Sequence, residues 1–240
     1  MSTFLQIAQS AAREMGIAGS TDASPVPTAV TSQTGELNKV VNWVIQSWTE
    51  IQNMHSNWKW MRRGFTVSAT SGDDSYAFGD VTDDDASAVI SRFGRWRYDD
   101  PEDEAKCYLT ASGTGVQYWL PYQKWAYFKA VYKIGTQTDA PPIIITIDPQ
   151  DNLVLGPQPD DTYTVTGDFQ RSAQVLAADG DIPECPKQFH DVIFWRAVLK
   201  YGLDESAPEM IGKWDMFGKP MLRDLRNNQL PDMVLQGPMA

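Results

Sequence analysis

The strongest constraint on the fold is a change in the spacing of apolar residues along the chain. One set recurs every three or four residues: Leu37, Val40, Val41, Val44, Ile45, Trp48 and Ile51. This spacing places the set on one face of an amphipathic helix. After Gly64 the apolar residues alternate with polar ones, as Phe65, Val67 and Ala69 do, which is typical of a strand with one buried face. The two patterns together predict a mixed fold.

Helical patterns lie near both ends of the chain. The first helix has an apolar face made of Phe4, Ile7, Ala8, Ala11, Ala12 and Met15. Gly16 ends it, and Thr34 is placed to cap the second helix, with Glu36 in the first turn. Residues 192–199 are apolar nearly all round, so we expect this helix to be covered on several sides. Arg196 within it needs a carboxylate or carbonyl partner, since an unpaired buried charge is costly.

The last helix has weaker signals. Residues 206–209 read Ser-Ala-Pro-Glu, which fits a capping box. Its apolar stripe consists of Met210, Ile211, Trp214, Phe217, Met221, Leu222 and Leu225. Pro220 within that stripe is expected to kink or interrupt the helix.

Short strands are predicted through the middle of the chain. The candidates are residues 65–69, 76–78, 88–93, 106–111, 116–122, 143–147, 153–156 and 162–171. Residues 112–115 and 149–152 have the composition of hairpin turns. Residues 122–132 suit either a short helix or a strand. We therefore predict an α+β fold in which terminal helices form a bundle and an antiparallel β-sandwich or barrel-like region is inserted between them.

The predicted domain boundaries follow these patterns. Residues 1–63 form the N-terminal helices of the bundle, 64–185 an acidic β domain, 186–229 the C-terminal helices that complete the bundle, and 230–240 an extended tail.

The net charge of −11 is concentrated in one segment. Residues 64–186 carry eight Lys or Arg and twenty Asp or Glu, whereas residues 1–63 carry five and four, and residues 187–240 carry seven and seven. This balance argues against a protein that clamps duplex DNA, because Lys and Arg supply most non-specific affinity for phosphate. No apolar run is long enough to span a membrane. The N-terminus lacks the features of a secretion signal, and two cysteines are too few for a disulfide framework.

Motifs of catalysis, cofactor binding and metal binding are missing from the sequence. His55 and His190 are the only histidines, and no nucleophile, phosphate-binding or zinc pattern includes them. We predict no enzyme activity, no cofactor and no metal site. A hydrolase would need a carboxylate pair, such as Asp83 and Asp99, to converge in one cleft.

Two acidic clusters and two aromatic motifs leave alternatives open. The clusters are Asp83, Asp84, Asp85 and Asp99, Asp100, Glu102, Asp103, Glu104. They are read as solvated loops, since the spacing of a calcium loop is absent. Arg92, Arg95 and Arg97 either stack on nucleic acid or form salt bridges within or between subunits. Residues 58–60, Trp-Lys-Trp, are either a sugar platform or packing between helix and sheet. Trp43, off the main stripe, either covers a loop or faces a neighbouring subunit.

Several segments in order resemble head-to-tail adaptor, or connector, proteins of tailed bacteriophages. They are residues 48–52 and 58–61, then 156–157, 160, 163–165 and 169–171, and finally 176, 179, 181, 183, 186, 189–193 and 197. Their order, with a helix pair, a β insertion, a second helix pair and a tail, covers nearly the whole chain.

This resemblance implies a structural protein of the virion head–tail junction, made in the cytoplasm of the bacterial host. Such adaptors form a ring, usually of twelve copies, that joins the portal protein to the tail or nozzle protein around the DNA channel. Under this interpretation, the candidate portal or subunit interface consists of Trp43, Trp195, Arg196, Trp214, Leu230, Pro231, Met233, Val234 and Leu235.

The acidic clusters fit the same interpretation as channel or rim loops. Facing the channel, they would keep the passing genome from adhering by like-charge repulsion, without specific DNA binding. The alternative function is another phage tail or baseplate protein whose β domain contacts carbohydrate through Trp58.

Overall fold

A computed structural model describes residues 2–17, 26–98 and 105–230 of the chain. The chain divides into two compact units. Met1–Met61 and Ala173–Ala240 form one, here called the helical unit, and Arg62–Ser172 form the other, here called the β unit. The insertion therefore interrupts the helical unit in sequence.

The α-helices of the described residues are α1 Phe4–Glu14, α2 Gly35–Asn53, α3 Trp125–Tyr132, α4 Asp191–Asp204, α5 Pro208–Lys213 and α6 Lys219–Gln229. A π-helical turn, Trp214–Gly218, joins α5 to α6. Helix α3 belongs to the β unit, which decides the alternative left open for residues 122–132 in favour of a helix.

The ends of the helices differ in part from the sequence prediction. Gly16 follows α1 with φ +70°, a conformation that suits glycine after a helix. Thr34 lies at the N-cap of α2, but its hydroxyl accepts no capping hydrogen bond. The capping box at Ser206 is wrong, because Ala207 is the N-cap of α5 and Pro208 begins the helix. The interruption expected near Pro220 is confirmed, since the π-helical turn Trp214–Gly218 separates α5 from α6 and Pro220 lies in the first turn of α6.

One apolar core fills the helical unit, and α4 contributes to it from several directions. Val192, Ile193, Ala197 and Val198 of α4 are all fully buried. Helix α4 contacts α1, α2, α5 and the π-helical turn, which confirms that this apolar helix is covered on several sides. Trp58 is also fully buried, and its ring stacks on that of Trp60 with centroids 4.3 Å apart.

A reciprocal pair of hydrogen bonds attaches the returning chain to α2. Gln52 is 1% exposed, and its Nε2 donates to the carbonyl of Gln174 at 2.9 Å. The backbone N of Gln174 donates in turn to Oε1 of Gln52 at 2.7 Å. The indole of Trp48 donates to the side chain of Gln174 at 3.1 Å. These bonds fix the position of residue 174 directly after the β unit.

The segment that follows the β unit also holds the N-terminus of α1. The backbone N of Phe4 donates to the carbonyl of Asp181 at 2.7 Å, which satisfies one of the free N–H groups of the first turn. Asp181 also accepts from the backbone N of Ala177 and of Ala178, and these bonds hold the pKa of its carboxyl below the usual value. The segment that follows the β unit thus organises both N-terminal helices.

The strands of the β unit are β1 Arg62–Ala69, β2 Ser75–Tyr76, β3 Thr82–Asp83, β4 Ala88–Val89, β5 Phe93–Arg97, β6 Ala105–Leu109, β7 Tyr118–Leu120, β8 Ile144–Ile147, β9 Leu153–Gly156 and β10 Tyr163–Arg171. One sheet has the order β4-β3-β1-β10-β6-β7, with β5 also paired to β10. A second, three-stranded sheet has the order β2-β9-β8. Every pairing between these strands is antiparallel.

The α+β class is confirmed, and within the described residues the sheets form no closed barrel. The strand predicted at 88–93 is wrong in extent, because β4 ends at Val89 and β5 begins only at Phe93. Strands β1 and β10 are the longest and pair along their length, from Arg62 opposite Gln170 to Ala69 opposite Tyr163.

We predict that Gln52→Leu destabilises the protein by about 2–3 kcal/mol, because it leaves the buried backbone groups of Gln174 without partners. Chemical denaturation of both proteins measures the loss. The matched control is Gln46→Leu on an exposed position of the same helix, which should change stability by less than about 0.5 kcal/mol. Equal effects of the two substitutions would contradict the role of the reciprocal pair.

Candidate interaction surfaces

A charged ladder joins α2 to α4 at the surface of the helical unit. Nε of Arg196 lies 3.1 Å from Oε2 of Glu50, and Nζ of Lys200 lies 2.6 Å from Oε1 of the same residue. The carboxylate partner expected for Arg196 is thereby confirmed. Burial opposes ionisation of Glu50, but the hydrogen bonds from Lys200 and Arg196 outweigh it and hold the pKa of this carboxyl below its ordinary value.

An open groove of about 470 Å³ runs along α2 beside this ladder. Its lining is mostly apolar in character and consists of Ile45, Gln46, Thr49, Glu50, Asn53, Met54 and Arg196. Arg226 of α6 reaches its rim, where Nη2 lies 3.5 Å from the sulfur of Met54. The groove therefore combines apolar area with a fixed charged edge, which suits contact with another protein.

Aromatic residues project from the π-helical turn. Met216 is 68% exposed and Phe217 is 49% exposed, and the ring of Phe217 stacks on that of Trp195 with centroids 5.1 Å apart. Trp214, by contrast, is buried, and its ring lies 5.7 Å from the guanidinium carbon of Arg196. Among these candidates, Trp195 and Phe217 together form an exposed aromatic surface. Trp214 is buried and contacts Arg196 from the core.

Gly218 makes this aromatic arrangement possible. A Cβ atom at this position would lie 2.2 Å from the ring of Trp214 and 2.9 Å from the Cβ of Trp195. Only a residue without a side chain allows the two tryptophans to approach the backbone so closely. No sequence pattern indicates this constraint, because the glycine lies within a helical stripe of apolar residues.

The remaining interface candidates have different positions. Trp43 is partly exposed on α2, and its ring meets that of Tyr201 edge-on with centroids 5.9 Å apart. Leu230 ends the described chain and packs against the core of the helical unit. Pro231, Met233, Val234 and Leu235 lie outside the described residues.

Of the acidic candidates, the three in the β3–β4 turn can be placed. Asp83 is 8% exposed, and its Oδ1 accepts from the backbone N of Asp85 at 3.0 Å and of Ala86 at 3.2 Å. Asp84 and Asp85 are exposed, and Asp85 pairs with Arg63 of β1. Asp83 thus shapes the turn. Asp99, Asp100, Glu102, Asp103 and Glu104 lie outside the described residues, so the structure does not place the pair Asp83 and Asp99.

The arginines of the β5 region contact neighbouring strand ends. Arg97 is 5% exposed, with Nη1 3.5 Å from Oε1 of Gln170. Arg92 donates to the carbonyl of Ser172 at 2.6 Å. Both contacts lie within the β unit.

Trp119 is exposed in the described part of the β unit, whereas Trp58 is a buried residue of the helical unit. Trp58 is fully buried and donates its indole N–H to the carbonyl of Gln52 at 2.9 Å, so it has no free face for a sugar. Trp119 is 53% exposed, with Nζ of Lys106 at 4.6 Å from its ring centre. The alternation of Tyr118, Trp119 and Leu120 is the sequence signal that could have found this outward residue.

The cysteines and His190, whose side chains could act in catalysis, are all buried. Cys107 and Cys185 are free and buried, and burial raises the pKa of both thiols, that of Cys185 to about 12. His190 is 1% exposed, with Nε2 3.1 Å from the carbonyl of Cys185. Across the described ranges, no three His, Cys, Asp or Glu residues converge to hold a metal ion.

A comparison with protein families matches residues 2–234 to the SU10 adaptor protein family. The chain belongs to this family. No curated protein matches the chain.

Membership in the SU10 adaptor protein family confirms the resemblance to phage head-to-tail adaptors. It makes the chain a phage adaptor, a structural component of the virion that interacts with other virion components. No helix among the residues that the structure describes has the length and apolarity to cross a membrane.

We predict that Gly218→Ala destabilises the helical unit by about 1–3 kcal/mol, because the added methyl group would overlap the ring of Trp214 and crowd the Cβ of Trp195. Gly212→Ala is the matched control. Its Cβ would meet nothing within 4 Å, so it should leave stability unchanged or raise it by up to about 1 kcal/mol. Thermal unfolding followed by tryptophan fluorescence measures both, and equal melting temperatures would disprove the prediction.

We also predict that Glu50→Gln lowers stability at neutral pH by about 0.5–1 kcal/mol, a small value because the carboxylate is partly exposed. The pKa of Glu50 is lower in the folded state, so its contribution is present above the ordinary value of 4.5 and is lost as the pH falls through the folded-state pKa. Denaturation at a series of pH values should therefore show that the wild-type protein loses its advantage over Glu50→Gln in acid. Glu36→Gln, in an exposed pair with Lys39, is the control.

Proposed function

We propose that the protein forms a ring, most simply of twelve copies, that joins the portal protein to the tail or nozzle protein around the DNA channel. The observation that carries this proposal is the family match over residues 2–234, which spans both the helical unit and the β unit. An adaptor between portal and tail contacts two different virion components, and the two units of the chain are available for these two contacts.

The portal contact is assigned to the helical unit. Trp43 and Trp195 are partly exposed there, and Arg196 is held in a fixed orientation by Glu50. Aromatic residues and arginine are the side chains most enriched at the centres of protein interfaces. Met233, Val234 and Leu235 of the sequence that follows α6 are assigned to the same contact, as its apolar anchors.

The acidic turn supports passage of DNA through the ring without binding. Asp84 and Asp85 are exposed, and the chain as a whole carries a net charge of −11. When such turns face the channel, repeated copies produce a negative lining that repels the phosphate backbone.

Deletion of residues 231–240 tests the portal contact. We expect the shortened protein to lose binding to the portal ring, measured by native mass spectrometry of the mixture, while its circular dichroism stays unchanged because α6 ends at Gln229. The control is a full-length chain with Val116→Ser, an exposed position of the β unit that should leave portal binding intact. Portal binding by the shortened chain at full strength would remove the tail from this role.

A further inference from the structure

The groove beside α2 ends next to the last turn of α6. Ile45, Thr49 and Asn53 line it at helical spacing, and Met54 lines it just beyond the C-terminal end of α2. At about 1.5 Å per residue, the stripe from Ile45 to Met54 is about 13 Å long. Arg226 lies in the last turn of α6, with Nη2 3.5 Å from the sulfur of Met54. Helix α6 therefore finishes beside one end of the groove.

The chain leaves α6 in an extended conformation at this end. The backbone N of Leu230 still donates to the carbonyl of Arg226 at 2.9 Å, but the φ of −95° and ψ of 151° of Leu230 are those of a strand. Its side chain packs on the core of the helical unit. An extended chain advances about 3.3 Å per residue, so residues 231–235 cover about 16 Å. They are long enough to follow the whole groove.

Arg226 needs an acidic partner at this end of the groove. Its Nε is buried and accepted by no atom of the described residues, and its guanidinium forms no ion pair with them. Nε2 of His55, which follows Met54, is also buried without a partner there. Burial and the charge of Arg226 hold the pKa of His55 below its ordinary value. A carboxylate placed here would accept from both side chains and offset the cost of the unpaired cation.

The sequence after Leu230 supplies the matching groups in the matching order. Residues 231–235 read Pro-Asp-Met-Val-Leu, so an acid comes first and apolar residues follow. In an extended chain Met233 and Leu235 point to the same side, which suits a groove of apolar character. Asn53 is exposed on the lining, where its side-chain amide can both donate to and accept from an extended backbone.

We propose that residues 231–235 lie in the groove of their own chain before assembly, with Asp232 paired to Arg226 and with Met233 and Leu235 packed along α2. The apolar anchors of the tail are then covered in the free protein. The consequence for assembly rests on the proposed function, which assigns the same anchors to the portal contact. Portal binding must draw the tail out, and the groove then becomes available to another protein.

Intramolecular cross-linking of the full chain tests this position. Gln46→Cys places a thiol on the exposed lining of the groove, and Gln236→Cys places one directly after the anchors. A short bis-maleimide joins thiols that approach each other, and the native Cys107 and Cys185 are buried and do not compete. In dilute protein we expect a linked monomer, identified by peptide mapping with mass spectrometry.

The matched control pairs Gln236→Cys with Val175→Cys. Val175 is 65% exposed in the same unit but does not line the groove, so this pair should give several-fold less linked monomer. Equal yields from the two pairs, or no link between positions 46 and 236, would overturn the proposal. Links that form only between chains would overturn it too, since they would place the tail in the groove of a second copy.

The charge pair is tested on the same linked variant. Asp232→Asn should lower the yield of linked monomer several-fold, and it alters a position beyond α6, so the helices keep their fold. Asp224→Asn, an exposed acid within α6, is the control and should leave the yield unchanged. Arg226→Asp combined with Asp232→Arg should restore the yield. A yield that Asp232→Asn does not lower contradicts the pairing of Asp232 with Arg226.

Addition of purified portal ring separates this inference from the proposed function. We expect the ring to lower the yield of the link several-fold, because the portal and the groove compete for the same side chains. If tail deletion abolishes portal binding but no link forms in the free chain, this inference alone fails. If the link forms but the shortened chain binds the portal at full strength, the proposed portal contact of the tail fails and the docking in the groove stands.

Discussion

The hydrogen bonds between Gln52 and Gln174 are the interaction on which the rest of the helical unit depends. They join residues 122 positions apart, because the whole β unit lies between them in the sequence. The segment they fix continues to Asp181, which holds the start of α1, and then to α4, which packs on both α1 and α2. A buried glutamine is costly unless each of its polar atoms is satisfied, so this pair also selects a single position for the returning chain.

The two units present different chemistry to their surroundings. The helical unit, with ten Lys or Arg and fourteen Asp or Glu, has a groove beside α2, exposed aromatic residues and the Glu50 ladder. The β unit contains most of the acidic excess, yet α3 forms an apolar and basic exception within it. The two units therefore differ in the balance of apolar area and charge that they offer to other virion components.

Much of the fold could be predicted because the spacing of apolar residues along the chain indicates which side chains are buried. The faces of α1 and α2, the covered α4 and the antiparallel strands all follow from that spacing, and the need to neutralise Arg196 followed from its place in an apolar helix. The identity of its partner, Glu50, could not be predicted, since it depends on how α2 and α4 are aligned. The π-helical turn, the tight position of Gly218 and the start of α5 at Pro208 depend on local packing that periodicity does not record. Trp58 shows the same limit, because its burial depends on tertiary packing, whereas the exposure of Trp119 could have been predicted from the alternation in its strand.

The pairing of β1 with β10 has a consequence for the origin of such chains. Arg62, where the β unit begins, is the partner of Gln170 near its end, so the two points lie about 5 Å apart in neighbouring strands. A segment whose ends are this close can be inserted into a loop of another protein, lengthened or exchanged without forcing the flanking chain to move. The β unit can therefore be lengthened or replaced while the helical unit keeps its fold.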